Sequence, residues 1–239
     1  HLMGDGVHQK VLEQDPILYG TKKMFSEIAG NADTENMLAE YNAGFKQDMR
    51  RFLKSDEGMI SGAEFHVRRN TGSFGTINYM ANQDGFTLYD TVAYNYRHNE
   101  ANGEDNRDGS EFNYSWNCGI EGATRKQVIR KMREQQMRNA FLMLLLSQGT
   151  PMIYGGDEFA NSQAGNNNAW CQDNAVGWTD WKNAKKQENL SSFVKEAIAF
   201  RKKHPILHMP QEMRGVDYMA KGFPDISVHG ERAWFLNRD

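Results

Sequence analysis

The sequence has only two cysteines, Cys118 and Cys171, in 239 residues. They form no C-x-x-C pair and fall in separate Asn-rich stretches, which argues against a disulfide scaffold or a thiolate zinc site. Two reduced thiols in a cytoplasmic protein are the expectation. No long hydrophobic run is present: the longest, Phe141 to Leu146, is far too short to span a bilayer, so no membrane partner is expected. Basic charge is not in excess either. Lys and Arg number 28 against 31 Asp and Glu, a net charge of −3, and nothing advertises a nucleic-acid or acidic-lipid surface. Internal repeats and low-complexity linkers are absent. The chain opens on His1 with no secretory leader pattern after it, and a segment of a longer reading frame is expected.

What is present reads as a globular α/β protein. Hydrophobic residues make up 39% and charged residues 25%. The mean hydropathy of −0.75 is low, and the polarity is concentrated in long loops. Asp15-Pro16 pairs a helix N-cap with proline at the first helical position, and Ile17, Thr21, Met24, Phe25 and Ile28 share a face before Gly30. Met37 to Asn42 is a strand candidate, Phe45 to Leu53 a helix with late cations, and Thr76 to Met80 a second strand. A polar loop follows over 94–123. Thr124 is positioned to cap a helix carrying Val128, Met132, Met137, Phe141, Leu144 and Leu145. Pro151 to Tyr154 is a third strand, and a second polar loop covers 160–185. A helix over about Ser192 to Lys203 and an extended stretch from Ile226 to Leu236 complete the pattern. Short strands alternating with helices, with polar residues at the strand C-terminal ends, predict a parallel sheet with its chemistry at that end. Periodicity alone does not separate a closed barrel from an open sheet.

An ordered set of motifs then narrows the reading. Gln83-Asp84-Gly85-Phe86-Thr87-Leu88 is followed by His98-Asn99-Glu100-Ala101-Asn102-Gly103-Glu104 and by Asn106-Arg107-Asp108-Gly109. Then come Ser115-Trp116-Asn117-Cys118-Gly119, Ser147-Gln148-Gly149-Thr150-Pro151, Gly156-Asp157-Glu158-Phe159, and Gly165-Asn166-Asn167-Asn168 through Cys171-Gln172-Asp173-Asn174. Together these resemble the isoamylase and glycogen-debranching branch of the α-amylase superfamily. The resemblance implies a (β/α)8 TIM barrel of the α-amylase type, acting on α-1,6 or α-1,4 glucosidic bonds of an α-glucan by a retaining mechanism. Only the second half, about strands four to eight, would lie in this chain. Residues 1–204 would be barrel, with the long loops 94–123 and 160–185. Residues 205–239 would be the last barrel segment and the start of a carboxy-terminal β region. The missing barrel half, or a self-associated assembly, would have to complete it.

A retaining glycosidase needs two carboxyl groups about 5–5.5 Å apart, and a third can stabilise the positive charge of the transition state. By resemblance Asp84 takes that third role. Glu40, at a strand end, is the candidate general acid, although its surroundings match the segment after the acid's own strand, which would then be missing or degenerate. Gln83, His98, Asn99, Arg107, Asp157, Glu158 and Trp170 are the candidate sugar contacts. Each also has a structural alternative: Asp157 as a helix cap, Arg107 and Asp108 as a loop tie, Trp170 as a loop pin.

Two departures weigh against full activity. Gln83 stands where the family has His, and Gln cannot become cationic. If His1 takes the place of the family's Arg, Met3 takes the nucleophile's position, where a thioether cannot serve; a register shift of two would put Asp5 there. The competing expectation is therefore a non-catalytic glucan-binding or regulatory protein on an amylase scaffold. No cofactor is implied, although loop carboxylate and Asn oxygens could hold Ca²⁺.

Overall fold

The computed structural model describes residues 2–5, 38–70 and 75–230, with 2–5 and Leu38 described by backbone alone. Four short strands, β1 (Leu2–Asp5), β2 (Leu38–Tyr41), β3 (Gly75–Tyr79) and β4 (Thr150–Met152), form one parallel sheet in sequence order. Met3 lies opposite Ala39, Glu40 opposite Thr76, and Asn78 opposite Pro151. Parallel neighbours need crossover connections. Helices α1 (Ala43–Leu53) and α2 (Ile60–Arg68) join β2 to β3, and α3 (Leu88–Thr91) and α4 (Gln127–Leu146) join β3 to β4. After β4 come α5 (Trp181–Lys186) and α6 (Glu188–Lys203). The expected helix at 16–30 lies outside the described residues, as do Met37 and the side chains of Met3 and Asp5.

Local chemistry explains the turns that matter. Asn42 ends β2 and caps α1, its Oδ1 accepting from Phe45 N at 3.1 Å. Its Nδ2 donates to Asn78 Oδ1 at 2.8 Å, and Asn78 Nδ2 donates to the Gln148 carbonyl at 2.7 Å. One buried amide chain thus locks β2, β3 and the approach to β4. Phe45 and Met49, four apart on α1, enter the core with Met80, Leu88, Val92, Met137, Phe141, Leu144, Leu145, Leu190 and Val194. Helix α2 escapes the sequence pattern because Gly62 interrupts it. That glycine lets α2 approach α1, since a Cβ there would lie 3.1 Å from Asp48 Oδ2.

Helix α4 departs from expectation in two ways. It starts at Gln127, while Thr124 Oγ1 accepts from Lys126 N in the turn before it. Val128 and Met132 face solvent, and Arg133 is the buried residue of that stretch. The other end of α4 is closed by a cation from α6: Arg201 donates to the carbonyls of Leu145, Ser147 and Gly149 at 2.6–2.7 Å. The first two are carbonyls that a helix end leaves unpaired, and the third lies in the turn just beyond it. Beyond the short turn Pro205–His208 the chain returns to α2, where Arg68 and Met213 exchange two hydrogen bonds and Asn70 donates to Met209 O. Residues 226–230 form no strand, unlike the expected extended stretch there. Among the described residues no helix is long and apolar enough to cross a membrane.

Candidate active site

At the C-terminal end of β3 the chain turns through Ala81-Asn82-Gln83-Asp84-Gly85. Gly85 has φ +103°, a conformation that favours glycine, and its N–H donates to the Asn167 carbonyl at 3.0 Å. Gln83 and Asp84 are both exposed, with Gln83 Nε2 3.5 Å from Asp84 Oδ2. Lys46, from the first turn of α1, reaches the Asp84 carbonyl at 3.3 Å and Asn82 Oδ1 at 3.4 Å. The Asp84 carboxylate is therefore held at a strand mouth, open to a ligand, on a backbone tied from two sides.

Beneath this turn lies a buried ionic cluster. Arg50 of α1 donates to the carbonyls of Met80 (2.7 Å), Phe86 (3.0 Å) and Asn113 (3.0 Å). Burial lowers its guanidinium to about 10, partly offset by the charge of Asp157. Asp157 accepts from Leu88 N at 2.9 Å, capping α3 from across the site. Desolvation pushes its carboxyl up to about 7, against the pull of that hydrogen bond and of Arg50, with Glu158 and Asp90 adding to the rise. Asp90 on α3 accepts from Ser162 Oγ at 2.5 Å and from Gln163 N at 2.8 Å. Its carboxyl is likewise raised by burial, to about 6, with these bonds opposing. The two carboxylates cross-tie the Asp84 turn to the loop after β4.

The long loops are stitched by amides. Asn99 Oδ1 accepts from Asn167 N at 2.9 Å, and Asn99 Nδ2 donates to Asn167 Oδ1 at 2.8 Å and to the Asp108 carbonyl at 2.9 Å. Asn102 and Asn168 both donate to Asp108 Oδ2, at 2.7 and 2.8 Å, and the Asn102 and Asn168 bonds hold the Asp108 carboxyl below its usual range. At Gly109 (φ +74°) a Cβ would fall 2.1 Å from Asn167 Oδ1, so only glycine fits the seam. Glu121 accepts from Asn95 N, Tyr96 N and Asn117 Nδ2 and lies 3.2 Å from His98 Nε2. Burial alone would raise its carboxyl; the bonds from Asn95 N, Asn117, Tyr96 N and His98 win and hold it low. Arg133 donates to the carbonyls of Gly122, Asn117 and Ile120, gathering the end of the first loop under α4.

The expected site residues therefore divide. Asp84 and Gln83 are open, and His98 and Asn99 are joined to the 163–168 segment, His98 N donating to Gly165 O at 2.7 Å. Asp157 is corrected from a sugar contact to a buried cap, because Leu88 N occupies its oxygen. Glu158 is turned back on its own loop, accepting from Gly156 N at 2.9 Å. Arg107 pairs with Asp105 at 2.9 Å, both side chains largely exposed, and not with Asp108, which Asn102 and Asn168 hold instead. Glu40 is buried and its carboxylate is taken by Arg69 NH2 at 2.8 Å, a contact that turns it toward α2 and the loop after it instead of an open groove. Trp170 is 85% exposed, free to present a ring face. Arg50, Asp90, Glu121 and Arg133 were missed. Nothing in a linear pattern marks a charged residue whose partners are backbone groups far along the chain. Among the described residues no three or more His, Cys, Asp or Glu side chains converge as a metal site would. Amide donors take Asp108 Oδ2 in the oxygen-rich seam.

A short parallel sheet flanked by helices, with polar seams at its C-terminal end, is an α/β architecture, and solved barrel structures share its fold. A pullulanase from Anoxybacillus sp. LM18-11, complexed with maltotetraose, superposes with a TM-score of 0.53 at 21% identity, over 75% of this chain and 24% of that one. A pullulanase from Bacillus acidopullulyticus does so at 0.52 and 19%, over 72% and 19%. No family model matches the sequence. Individual relatives do. A glycogen operon protein GlgX homolog of Mycobacterium bovis is 41% identical over 222 residues, 86% of this chain and 30% of that protein. A glycogen debranching enzyme of Dickeya chrysanthemi is 41% identical over 188 residues, 75% and 28%. The chloroplastic isoamylase SU1 of Zea mays is 35% identical over 209 residues, 80% and 26%. The chain belongs to the isoamylase and glycogen-debranching branch of the α-amylase superfamily. It spans about 30% of the length of the first of these relatives.

Proposed function

We propose that this chain forms the second half, about strands four to eight, of an α-amylase-type (β/α)8 barrel, and that the complete protein is an α-glucan debranching hydrolase. In this reading residues 1–204 belong to the barrel and the stretch from 205 follows its last strand. The observation that carries the reading is the Asp84 carboxylate, open at the mouth of β3 in a chain that is 41% identical over 188 residues to a glycogen debranching enzyme. An apolar cavity of about 460 Å³ beside β4, lined by Leu145, Pro151, Ile153 and Ile198, supports further barrel elements packing there, from the rest of the polypeptide or from a second copy. In this reading Asp84 binds sugar hydroxyls and stabilises the oxocarbenium-like transition state. Gln83, His98 and Trp170 line the path of the glucan. The reaction needs no cofactor, and a cytoplasmic setting fits the glycogen-operon relative, although the maize relative is chloroplastic by name.

A second reading, glucan binding without hydrolysis, has its own support. Strand β1 pairs directly with β2. If β1 is the nucleophile's strand and β2 the sixth, no strand stands between them to carry the general acid, and Glu40 is already committed to Arg69. Reducing-sugar release from glycogen and pullulan separates the two. The first reading expects hydrolysis by the complete protein that disappears in Asp84→Ala; the second expects binding of maltooligosaccharides with no release in either form.

A further inference from the structure

A second cavity, of about 640 Å³, opens between the N-terminal half of α4 and the segment that runs from β4 to α6. None of the site residues expected from the sequence lines it. Its volume falls within the roughly 300–1,000 Å³ of small-ligand sites. The walls decide what chemistry fits. Tyr89 and Tyr94 supply aromatic surface, α4 supplies Gln127, Arg130 and Lys131, and Gln187 faces them from the start of α6. Phenol, amide and long cationic side chains recognise hydroxyl groups, and aromatic rings pack on the C–H faces of sugars. The acids on the walls are engaged: Glu134 pairs with Arg138 at 2.7 Å, and Asp180 caps α5 through Lys182 N at 3.0 Å. Arg130, Lys131 and Arg133 outnumber Glu134 and Asp180 on the walls, which disfavours a cationic ligand, and an apolar one would strip water from unsatisfied polar groups.

We propose that this cavity is a second carbohydrate site, separate from the Asp84 turn, that takes a short stretch of neutral α-glucan. The identity of the sugar rests on the glucan reading above; the existence and place of the site rest on the cavity. The site is mechanically joined to the first. The Tyr94 ring packs on His98 with centroids 5.3 Å apart, and Ser162, on the cavity wall, holds Asp90. A glucan held here would be anchored on the same loops that carry the candidate site.

The test is maltohexaose titration of the complete protein by calorimetry, with Ala123→Trp and Ala175→Trp filling the cavity from two exposed alanines on its walls. Two binding events are expected in the parent and one in each variant, with affinity at the lost site down at least tenfold and the melting midpoint unchanged. The double substitution Gln127→Ala with Lys131→Ala, on exposed residues, gives the same readout if a Trp variant fails to fold. Unchanged stoichiometry in folded variants overturns the proposal. So does a cavity that binds glucose 1-phosphate but not maltohexaose, which would make it an anion site. Binding lost in Trp170→Ala but intact in the cavity variants sinks this inference and leaves the primary reading standing. No maltohexaose binding by the parent sinks both.

Discussion

The Asp157 and Asp90 carboxyls are hydrogen-bonded and buried, so each loses more solvation on ionising than its partners return. Their pH effect follows. Both are raised above the ordinary carboxylate value of 3.8, to about 7 and about 6. Between roughly pH 4 and 7 the native state keeps protons that the unfolded chain has lost, so their contribution to stability is full below pH 4 and is lost as pH rises through 6 to 7. Carboxyls held low, such as Glu121 and Asp108, act in the opposite sense, losing their contribution as pH falls. The clean observable is therefore the difference from parent. Urea midpoints for Asp157→Asn should fall less than the parent's between pH 4.5 and 7.5; identical slopes would show that Asp157 ionises normally. Arg133 makes the second residue-scale case. Arg133→Met leaves the carbonyls of Asn117, Ile120 and Gly122 without their donor, and a loss of about 3–5 kcal/mol is expected by chemical denaturation. Asp90, Glu121 and Arg133 were not legible beforehand, whereas Asp157 was marked as a sugar contact or a cap and Asp108 as part of a loop tie. A carboxylate or guanidinium reads as surface until its partners are known.

Among the elements, strands and the main helices were the legible part. The strands near 38–42, 76–80 and 151–154 appear within one or two residues, and so do α1 and the body of α6, because apolar spacing and the Gly and Pro stops are local signals. Helices α2 and α5 and the start of α4 were not. Gly62 breaks the first pattern, α5 sits inside a polar loop, and Val128 and Met132 mimic a buried face that α4 turns to water. The loops between elements depend on the amide seam. Asn99→Ala removes both its bonds to Asn167, and a cost of about 1–3 kcal/mol is expected. Hydrogen exchange should show faster amides at 98–110 and 163–168 and unchanged protection in α6. Uniform loosening would mean the seam is not a local unit. By contrast, Phe141→Ala empties the α4 core contact and should cost about 3–5 kcal/mol throughout.

At the scale of the whole molecule the open question is closure. Among the described residues β4 has one strand neighbour, β3, and an apolar cavity stands beside it. A parallel sheet buries both faces, and exposed strand edges recruit partners. The 239 residues expressed alone should therefore self-associate in sedimentation velocity and release no reducing sugar from pullulan or glycogen. A monodisperse monomer with activity would refute the half-barrel reading. By itself the sequence determined the family, the order of strands and the turn that carries Asp84, since these are written in short motifs and local periodicity. Which polar residues would be drawn inside was settled by the tertiary structure alone. Asp157, Asp90, Arg50 and Arg133 act on backbone groups from about 11 to 73 positions away, and only the packed chain brings such groups together where little water competes for them.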